Sequence, residues 1–181
     1  RNVTAMAFQP GTGDLYAVTM ERDGMGDELV PDYLTRVQQG NNFGWPFQYI
    51  GSNPQPEYAD KAKGLPPAAI TDVLFMSHSA PLDLAFVPDS WPAAYRGDVI
   101  VALHGSWNAG QPRGYKLVLV HFKDGRPDGS YENFMTGFWI GGTAPAQVWG
   151  RPAALAFDRD GSLLVADDLA GTLWRVTPPP N

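Results

Sequence analysis

The sequence contains no cysteine, so disulfide bonds, thiolate catalysis and cysteine-ligated zinc or iron–sulfur sites are excluded. Its longest apolar run, residues 99–103, falls far short of the roughly 20 residues that a membrane-spanning helix needs. Positive charge is also scarce, because 13 Lys and Arg face 19 Asp and Glu, for a net charge of −6. Without a basic stripe, nucleic acid and anionic membrane surfaces are poor partners, and a small neutral or cationic ligand fits better.

Two common catalytic motifs are missing as well. There is no Gly-x-Ser-x-Gly elbow and no His-Glu-x-x-His helix, so serine-hydrolase and zincin functions have no support. Glycine and proline are instead abundant, at 20 and 17 residues. They interrupt the chain too often for long helices but suit short strands and turns. With 44% apolar residues to form a core, the composition predicts a folded all-β protein.

Three segments repeat one pattern: an apolar strand ending in Ala-Phe, a polar turn, a second strand and, after a loop, a third strand. The phenylalanines that end the first strands are Phe8, Phe86 and Phe157. They are spaced about 70 to 80 residues apart, against roughly 40–50 for compact propeller repeats. Long inserts therefore lie at about residues 44–71 and 123–150. The predicted strands are 3–8, 15–19, 33–37, 82–87, 98–103, 115–122, 132–138, 153–157, 163–166 and 172–176.

Repeated antiparallel units that cannot bury both faces alone stack on their neighbours, commonly as a β-propeller. We therefore predict one partial propeller domain over residues 1–181, with about three four-stranded blades at about 1–75, 76–149 and 150–181. A β-sandwich with coincidental turn spacing is the alternative. Propellers typically have 4–8 blades, so three would leave two open edges. Either blades upstream of Arg1 are missing, or two copies pair to make six.

An acidic loop follows the second predicted strand and invites a calcium interpretation. Four acids fall within residues 21–28. An EF-hand loop needs oxygen ligands at its first, third and fifth positions with Gly at the sixth, and the run beginning at Asp23 does not comply. Calcium would need another geometry here, and a solvated acidic turn is the alternative.

Histidines and arginines occupy the predicted loops that face a propeller channel. His78 and His104 enter equivalent ends of the second unit and can converge on one site. Arg1 and Arg151 hold the same position before the first strands of units one and three. Guanidinium groups at a channel mouth suit a ligand that bears carboxylates.

Seven motifs follow one another along the chain. They are Arg-Asn-Val-Thr at 1–4, Glu-Arg-Asp at 21–23, Gly-Asn-Asn-Phe-Gly-Trp-Pro at 40–46, His-Ser-Ala-Pro-Leu at 78–82, His-Gly-Ser-Trp-Asn at 104–108, Gly-Tyr-Lys at 114–116, and Gly-Arg-Pro at 150–152 with Ala-Asp-Asp at 166–168 and Trp-Arg-Val at 174–176. In this order they resemble the PQQ-dependent sugar dehydrogenases, particularly the sorbosone and pyranose dehydrogenase-like branch, over nearly the whole chain. The resemblance implies a six-bladed propeller that holds pyrroloquinoline quinone (PQQ) and calcium on its axis. This chain would form its carboxy-terminal three blades.

The resemblance also implies roles for individual residues. Arg1 and Asn2 would contact the polar edge of the quinone, and Arg151 would pair with a cofactor carboxylate. Three further residues would line the cofactor or sugar pocket: His78, His104 and Trp107.

The implied calcium site would use the backbone carbonyls of Arg22 and Asp23. Two departures from the family pattern stand out. Ala109 replaces an arginine that commonly follows the His-Gly-Ser-Trp-Asn run, removing a cation unless Arg113 substitutes. The family's general-base histidine lies in the first half of the propeller, upstream of Arg1, so the chain as given is expected to lack its base.

The leading hypothesis is a periplasmic or secreted oxidoreductase that oxidises an aldose or a related pyranose or sorbosone, with PQQ as hydride acceptor and calcium assisting. The isolated chain is expected to have weak or no activity, and the particular sugar and the electron acceptor stay open. One alternative is a half-propeller that dimerises as a binding module without redox chemistry. Another is a calcium-dependent lactonase-like propeller, which would bind its ion through side-chain carboxylates and Asn. The scarcity of inward acids beyond Asp23 and Asp27 counts against the last.

Overall fold

The computed structural model describes residues 1–178, which form antiparallel β-sheets and almost no helix. The chain begins with three neighbouring strands, β1 (Asn2–Phe8), β2 (Leu15–Met20) and β3 (Tyr33–Val37). An insert follows with the short pair β4 (Gln48–Tyr49) and β5 (Asn53–Pro54), a 3₁₀ turn (Pro56–Tyr58) and the one-turn helix α1 (Ala59–Ala62). Strand β6 (Val73–Leu74) then pairs with β3 and completes a four-stranded sheet in the order β1-β2-β3-β6.

The second sheet is also four-stranded and runs outward in chain order. Its strands are β7 (Pro81–Phe86), β8 (Val99–Leu103), β9 (Lys116–Lys123) and β10 (Arg126–Met135). A small pair, β11 (Trp139–Gly141) and β12 (Gln147–Val148), leads to the third sheet. That sheet consists of β13 (Pro152–Phe157), β14 (Leu163–Asp167) and β15 (Thr172–Val176). It has three strands within residues 1–178, so the prediction of four strands per blade holds for the first two sheets.

The first strands of the three sheets lie side by side, with β1 packed against β7 and β7 against β13. A β-propeller places the innermost strands of successive blades in this way. The predicted partial propeller is confirmed, and the β-sandwich alternative is set aside.

Strand β8 runs between two hydrophobic clusters, because alternate side chains of a strand point to opposite faces. Val99 and Val101 join a cluster with the first sheet, whereas Ile100 and Ala102 join a cluster with the third. All five residues of this strand are buried. The middle sheet is therefore the shared wall of both cores.

The outermost strand of the second sheet lies elsewhere than predicted. The sequence suggested a strand over 132–138, but β10 begins at Arg126 and ends at Met135. Asp124 and Gly125 both have positive φ, at 52° and 76°, as a two-residue type I′ hairpin requires. The turn therefore closes directly after β9. No helix among the residues described is long and apolar enough to cross a membrane.

Candidate active site

A cavity of about 430 Å³ lies where the inner strands of the three sheets begin. All six residues expected to contact the cofactor line it: Arg1, Asn2, His78, His104, Trp107 and Arg151. Asp23, which was expected to bind calcium, also lines the cavity, and residues without an assigned role complete the wall: Met20, Glu21, Asp32, Ala80, Leu82, Gly105 and Asn108.

The antiparallel sheets explain why residues so far apart in sequence meet. The inner strands β1, β7 and β13 run in the same direction, so the residues at their entry come to one end of the molecule. The second strands run back, so the residues that follow β2 and β8 reach that same end. Arg1 and Arg151 directly precede the inner strands β1 and β13. Glu21 and His104 directly follow the second strands β2 and β8, so all four residues line the cavity.

Arg151 is held by the backbone of the neighbouring blade. Its Nε donates to the carbonyl of His104 at 3.1 Å and its Nη2 to that of Gly105 at 2.5 Å. The guanidinium carbon lies 5.5 Å from the ring centre of Tyr115, a cation–π distance. These contacts fix the guanidinium without using Nη1, so a planar cation is oriented at the cavity wall.

Arg1 is oriented in a similar way. Its Nη1 donates to the carbonyl of Glu21 at 2.7 Å, and its guanidinium carbon lies 5.7 Å from the ring centre of Trp45. The cavity thus has one positioned arginine from the first sheet and one from the third.

His78 fastens the acidic loop to the start of the second blade. It adopts a left-handed backbone conformation, with φ of 66°. Its Nδ1 lies 3.1 Å from Oδ1 of Asp23 and its Nε2 lies 2.9 Å from the carbonyl oxygen of Gly26. Both partners accept hydrogen bonds, so both bonds form together when the ring carries two protons.

Asp32 is a buried member of the site that sequence reasoning did not single out. Its carboxylate accepts the backbone N–H groups of Glu21 and Ala80, both at 2.8 Å, and so joins two sheets. Burial raises the pKa of Asp32 to about 6, although these two hydrogen bonds act in the opposite direction. Its position directly before a strand was the signal available in the sequence.

Two adjacent acids at the end of β14, Asp167 and Asp168, make different contacts in the third blade. Asp168 lies against His104, with Nε2 at 2.9 and 3.0 Å from its two carboxylate oxygens. Asp167 accepts the backbone N–H of Arg151 at 2.8 Å. A Cβ on Gly150 would collide with Oδ2 of Asp167. Position 150 of the Gly-Arg-Pro run must therefore be glycine, because a side chain there would keep the Asp167 carboxylate away from the backbone N–H of Arg151.

The two residues expected to bind calcium are placed less favourably. Asp23 lines the cavity, but Arg22 lies instead in a neighbouring groove beside Glu57, with which it forms a bidentate ion pair. Nε of Arg22 donates to the carbonyl of Asp23 at 3.0 Å. A guanidinium on that oxygen opposes a second cation there, so this arrangement does not fit the implied site. Within residues 1–178, no three His, Asp or Glu side chains cluster as metal ligands.

Arg113 does not take the place of the arginine that the family pattern commonly has at the position of Ala109. Its side chain donates to the carbonyl of Asp27 and to the carboxylate of Glu28, and it does not line the cavity. The backbone N–H of Gly110 also donates to the Asp27 carboxylate, at 3.0 Å. Arg113 therefore ties the acidic loop of the first blade to the loop of the second.

A second cavity of about 320 Å³ adjoins the first and shares Trp107 and Arg151 with it. Trp107 is 81% exposed, so its indole forms a free flat surface between the two spaces. Small residues of the loop that joins β11 to β12 form the far wall: Thr143, Ala144, Pro145 and Ala146.

Three sheets whose inner strands lie side by side, with a polar cavity at the entry of those strands, place this chain among the β-propeller proteins. The family model "Glucose / Sorbosone dehydrogenase" matches residues 1–111, and the model "TrAA12-like" matches residues 67–179. The chain belongs to the glucose/sorbosone dehydrogenase family.

Other proteins of known sequence or structure are similar to nearly the whole of this chain. An uncharacterized protein of Borreliella burgdorferi is 27% identical over 97% of this chain and 46% of its own length. A calcium structure of a Trichoderma reesei carbohydrate-active enzyme of family AA12 aligns with a TM-score of 0.71 at 19% identity, covering 96% of this chain and 51% of that one. The holo PQQ domain of pyranose dehydrogenase from Coprinopsis cinerea aligns with a TM-score of 0.70 at 19% identity, covering 96% and 53%.

A third solved structure, the PQQ-bound aldose sugar dehydrogenase of Streptomyces coelicolor, aligns with a TM-score of 0.56 at 18% identity, over 91% of this chain and 36% of that one. The chain thus spans about half the length, or less, of these four relatives.

Proposed function

We propose that this chain forms part of the active site of an oxidoreductase that oxidises a sugar with PQQ as the electron acceptor. The observation that carries the proposal is the cavity itself, which gathers Arg1 and Arg151 with His78 and His104 at one end of the propeller axis. Family membership supports sugar oxidation, and similarity to two PQQ-containing dehydrogenase structures supports the cofactor.

The residues present fit the chemistry of PQQ, which carries carboxylates and quinone oxygens around a flat ring system. Carboxylates pair best with arginines presented in a fixed geometry. Arg1 and Arg151 are both held by carbonyl groups and aromatic rings. Trp107 adds an exposed aromatic face. When bound, PQQ would supply the two-electron acceptor that no protein side chain provides.

The chain's own residues would bind the cofactor and orient it in the cavity. Arg151 would grip a carboxylate through the nitrogen its backbone contacts leave unused, and Arg1 with Asn2 would hold the opposite polar edge. His104 would be oriented by Asp168, whose two carboxylate oxygens lie 2.9 and 3.0 Å from its Nε2. The general base that removes the proton of the sugar hydroxyl is proposed to lie outside this chain, in the other half of the propeller.

Calcium is given no step in this proposal, because the carbonyl of Asp23 already accepts a hydrogen bond from Arg22. It enters the experiment as a separate variable. The location is proposed to be periplasmic or secreted, and the partner a small sugar.

A binding titration tests the proposal directly. PQQ is added to the folded chain, with and without calcium, and tryptophan fluorescence is recorded. We expect saturable binding that Arg151→Gln weakens at least about tenfold, since a charge-assisted hydrogen bond is worth about 1.5–3 kcal/mol. Arg159→Gln, at an exposed turn residue, is the matched control and should bind as the parent chain does.

Dye reduction with aldoses in the presence of PQQ and calcium provides the second measurement. The expected turnover is weak or absent, because the base is supplied elsewhere. Robust turnover would show that the general base does not lie outside this chain. A folded chain that fails to bind PQQ would overturn the proposed function.

A further inference from the structure

The second cavity, of about 320 Å³, differs from the first in the chemistry of its walls. Carboxylate, amide and imidazole side chains line the first cavity, among them Glu21, Asn108 and His104. The second is lined mainly by small or apolar residues such as Ala109 and Leu169, and within residues 1–178 no Asp, Glu, Asn, Gln or His side chain lines it. Small-molecule pockets are typically about 300–1,000 Å³ in volume and mostly apolar with a few polar groups. The second cavity fits this description.

The motif Gly-Tyr-Lys at 114–116, which has no role in the proposed function, builds one wall of the second cavity. Tyr115 is buried, and its hydroxyl donates to the carbonyl of Ser106. Its ring lies directly against Gly105, where a Cβ would collide with it, and beside the guanidinium of Arg151. These contacts hold the tyrosine in place and leave the cavity a rigid aromatic wall.

Trp107 stands on a closed loop at the boundary between the two cavities. The backbone N–H of Ser106 donates to the carbonyl of Arg113 at 2.9 Å, and the backbone N–H of Arg113 donates to the Ser106 hydroxyl oxygen at 3.1 Å. Arg113 is anchored in turn by Glu28 of the first blade. The indole is nevertheless 81% exposed. A large aromatic side chain held in the open on an anchored loop is a ready contact surface for a flat ligand.

The polar groups left in the second cavity suit a ligand that accepts hydrogen bonds. The hydroxyl groups of Tyr115 and Ser106 already take part in the hydrogen bonds of the loop. Within residues 1–178, the indole N–H of Trp107 and the hydroxyl of Thr143 remain without a partner, and both can donate. A sugar ring presents many hydroxyl groups that also need strong acceptors, which this cavity does not offer. A quinone presents two carbonyl acceptors on a flat apolar ring and no donor.

We propose that the second cavity binds a small quinone, which serves as the electron acceptor of the enzyme. The quinone ring would lie on the exposed indole of Trp107, opposite the small residues at 144–146. The hydroxyl of Thr143 would donate to one of its carbonyl oxygens. All of these walls come from the second and third blades and the connection between them.

The role as electron acceptor rests on the proposed function. The two cavities share Trp107 and Arg151, so ligands in both would contact the same two side chains. The quinone would take up the two electrons and two protons that sugar oxidation leaves on the cofactor and would become a hydroquinone. The cofactor would thereby return to its oxidised form. Separate cavities for the two partners would let the acceptor approach without displacing the cofactor.

Titration of the folded chain with duroquinone, in the absence of PQQ, tests the binding site. Every ring carbon of duroquinone carries either an oxygen or a methyl group, so it does not add readily to lysine, and the chain has no cysteine. In nuclear magnetic resonance spectra, the indole N–H signal of Trp107 is identified by its loss in Trp107→Phe. We expect this signal to shift saturably, whereas the signal of the buried Trp91 should not move.

Two substitutions that fill the second cavity test where the quinone lies. Ala109 and Ala146 line the second cavity but not the first. Ala109→Phe and Ala146→Phe should each weaken duroquinone binding at least about tenfold, because the added ring occupies the space for the ligand. Both should bind PQQ as the parent chain does. Ala94→Phe, at an exposed position in the turn between β7 and β8, is the matched control and should bind duroquinone as the parent does. Circular dichroism verifies the fold of each variant.

The contrary outcomes are distinct. Absence of a saturable shift at Trp107 overturns the proposal, and so does duroquinone binding that neither filled variant weakens. If the disaccharide cellobiose binds the parent and loses affinity in the filled variants while duroquinone does not bind, the cavity belongs to a sugar and the proposal is wrong. PQQ binding is measured separately. A chain that binds PQQ but not duroquinone overturns this inference alone, and one that binds duroquinone but not PQQ overturns the proposed function together with the acceptor role.

Discussion

Several carboxylates of this chain serve as acceptors for backbone N–H groups from separate segments. Asp32 joins the first sheet to the second through Glu21 and Ala80. Asp83 joins the second sheet to the third through Leu155, and burial raises its pKa above the usual value. In the sequence such acids look like residues of solvated turns or like metal ligands. A position beside a strand, as for Asp32, shows that the acid lies at a strand end, but it does not show which distant N–H group the carboxylate will accept.

Asp32→Asn should flatten the pH dependence of stability. The folded-state pKa is raised to about 6 from the ordinary value of 3.8, so the folded protein holds a proton that the unfolded chain has lost between about pH 4 and 6. The parent's stability relative to Asp32→Asn is therefore greatest below about pH 4 and falls as the pH rises through 6. The change is at most about 3 kcal/mol, at 1.36 kcal/mol for each pKa unit.

Urea unfolding at pH 4, 5, 6 and 7 measures this difference for the parent and the variant. Asp89→Asn, at an exposed position, should parallel the parent at every pH. A constant offset between the parent and Asp32→Asn across this range would contradict the assignment.

At the scale of elements, alternating patterns predicted nearly every long strand within one or two residues, since a half-buried strand shows its period of two. The short pairs β4–β5 and β11–β12 were not predicted, because two or three residues carry no period. The side-chain contacts that join one blade to the next could not be predicted from the sequence either. Trp91, fully buried between β7 and β8, donates its indole N–H to the carbonyl of Gly161 at 2.7 Å and thereby links the second blade to the third.

Trp91→Phe should destabilise the protein by about 1–3 kcal/mol, the cost of leaving a buried partner unpaired. The ring contact with Phe157, at 5.5 Å between centres, would be retained in part. Chemical denaturation of the parent and the variant measures the loss. Trp107→Phe removes the same N–H from an exposed indole and should change stability by less than about 0.5 kcal/mol. Equal effects of the two substitutions would show that the Gly161 contact adds nothing.

At the scale of the whole molecule, the two hydrophobic clusters have the second sheet in common, with Val101 facing one and Ile100 the other. Neither core can lose its packing without disturbing the strands that form the wall of the other. The molecule should therefore unfold as one cooperative unit and not blade by blade.

The prediction is a single unfolding transition that coincides when followed by tryptophan fluorescence and by far-ultraviolet circular dichroism. Val101→Ala and Ile100→Ala, one in each cluster, should each lower the free energy of unfolding by about 2–4 kcal/mol without splitting the transition. Two resolved transitions in either variant would show that the blades unfold independently.

The sequence by itself determined the strands, the three-blade repeat and the set of residues at the strand entries, because strand period and turn residues are local properties. Only the tertiary structure decided which polar groups are already paired with other groups of the chain. Arg22 pairs with Glu57, Arg113 with Glu28, and Asp32 with two backbone N–H groups. Such pairing depends on segments that lie from 11 to 85 residues apart in sequence, and the packed sheets alone bring them within hydrogen-bonding distance.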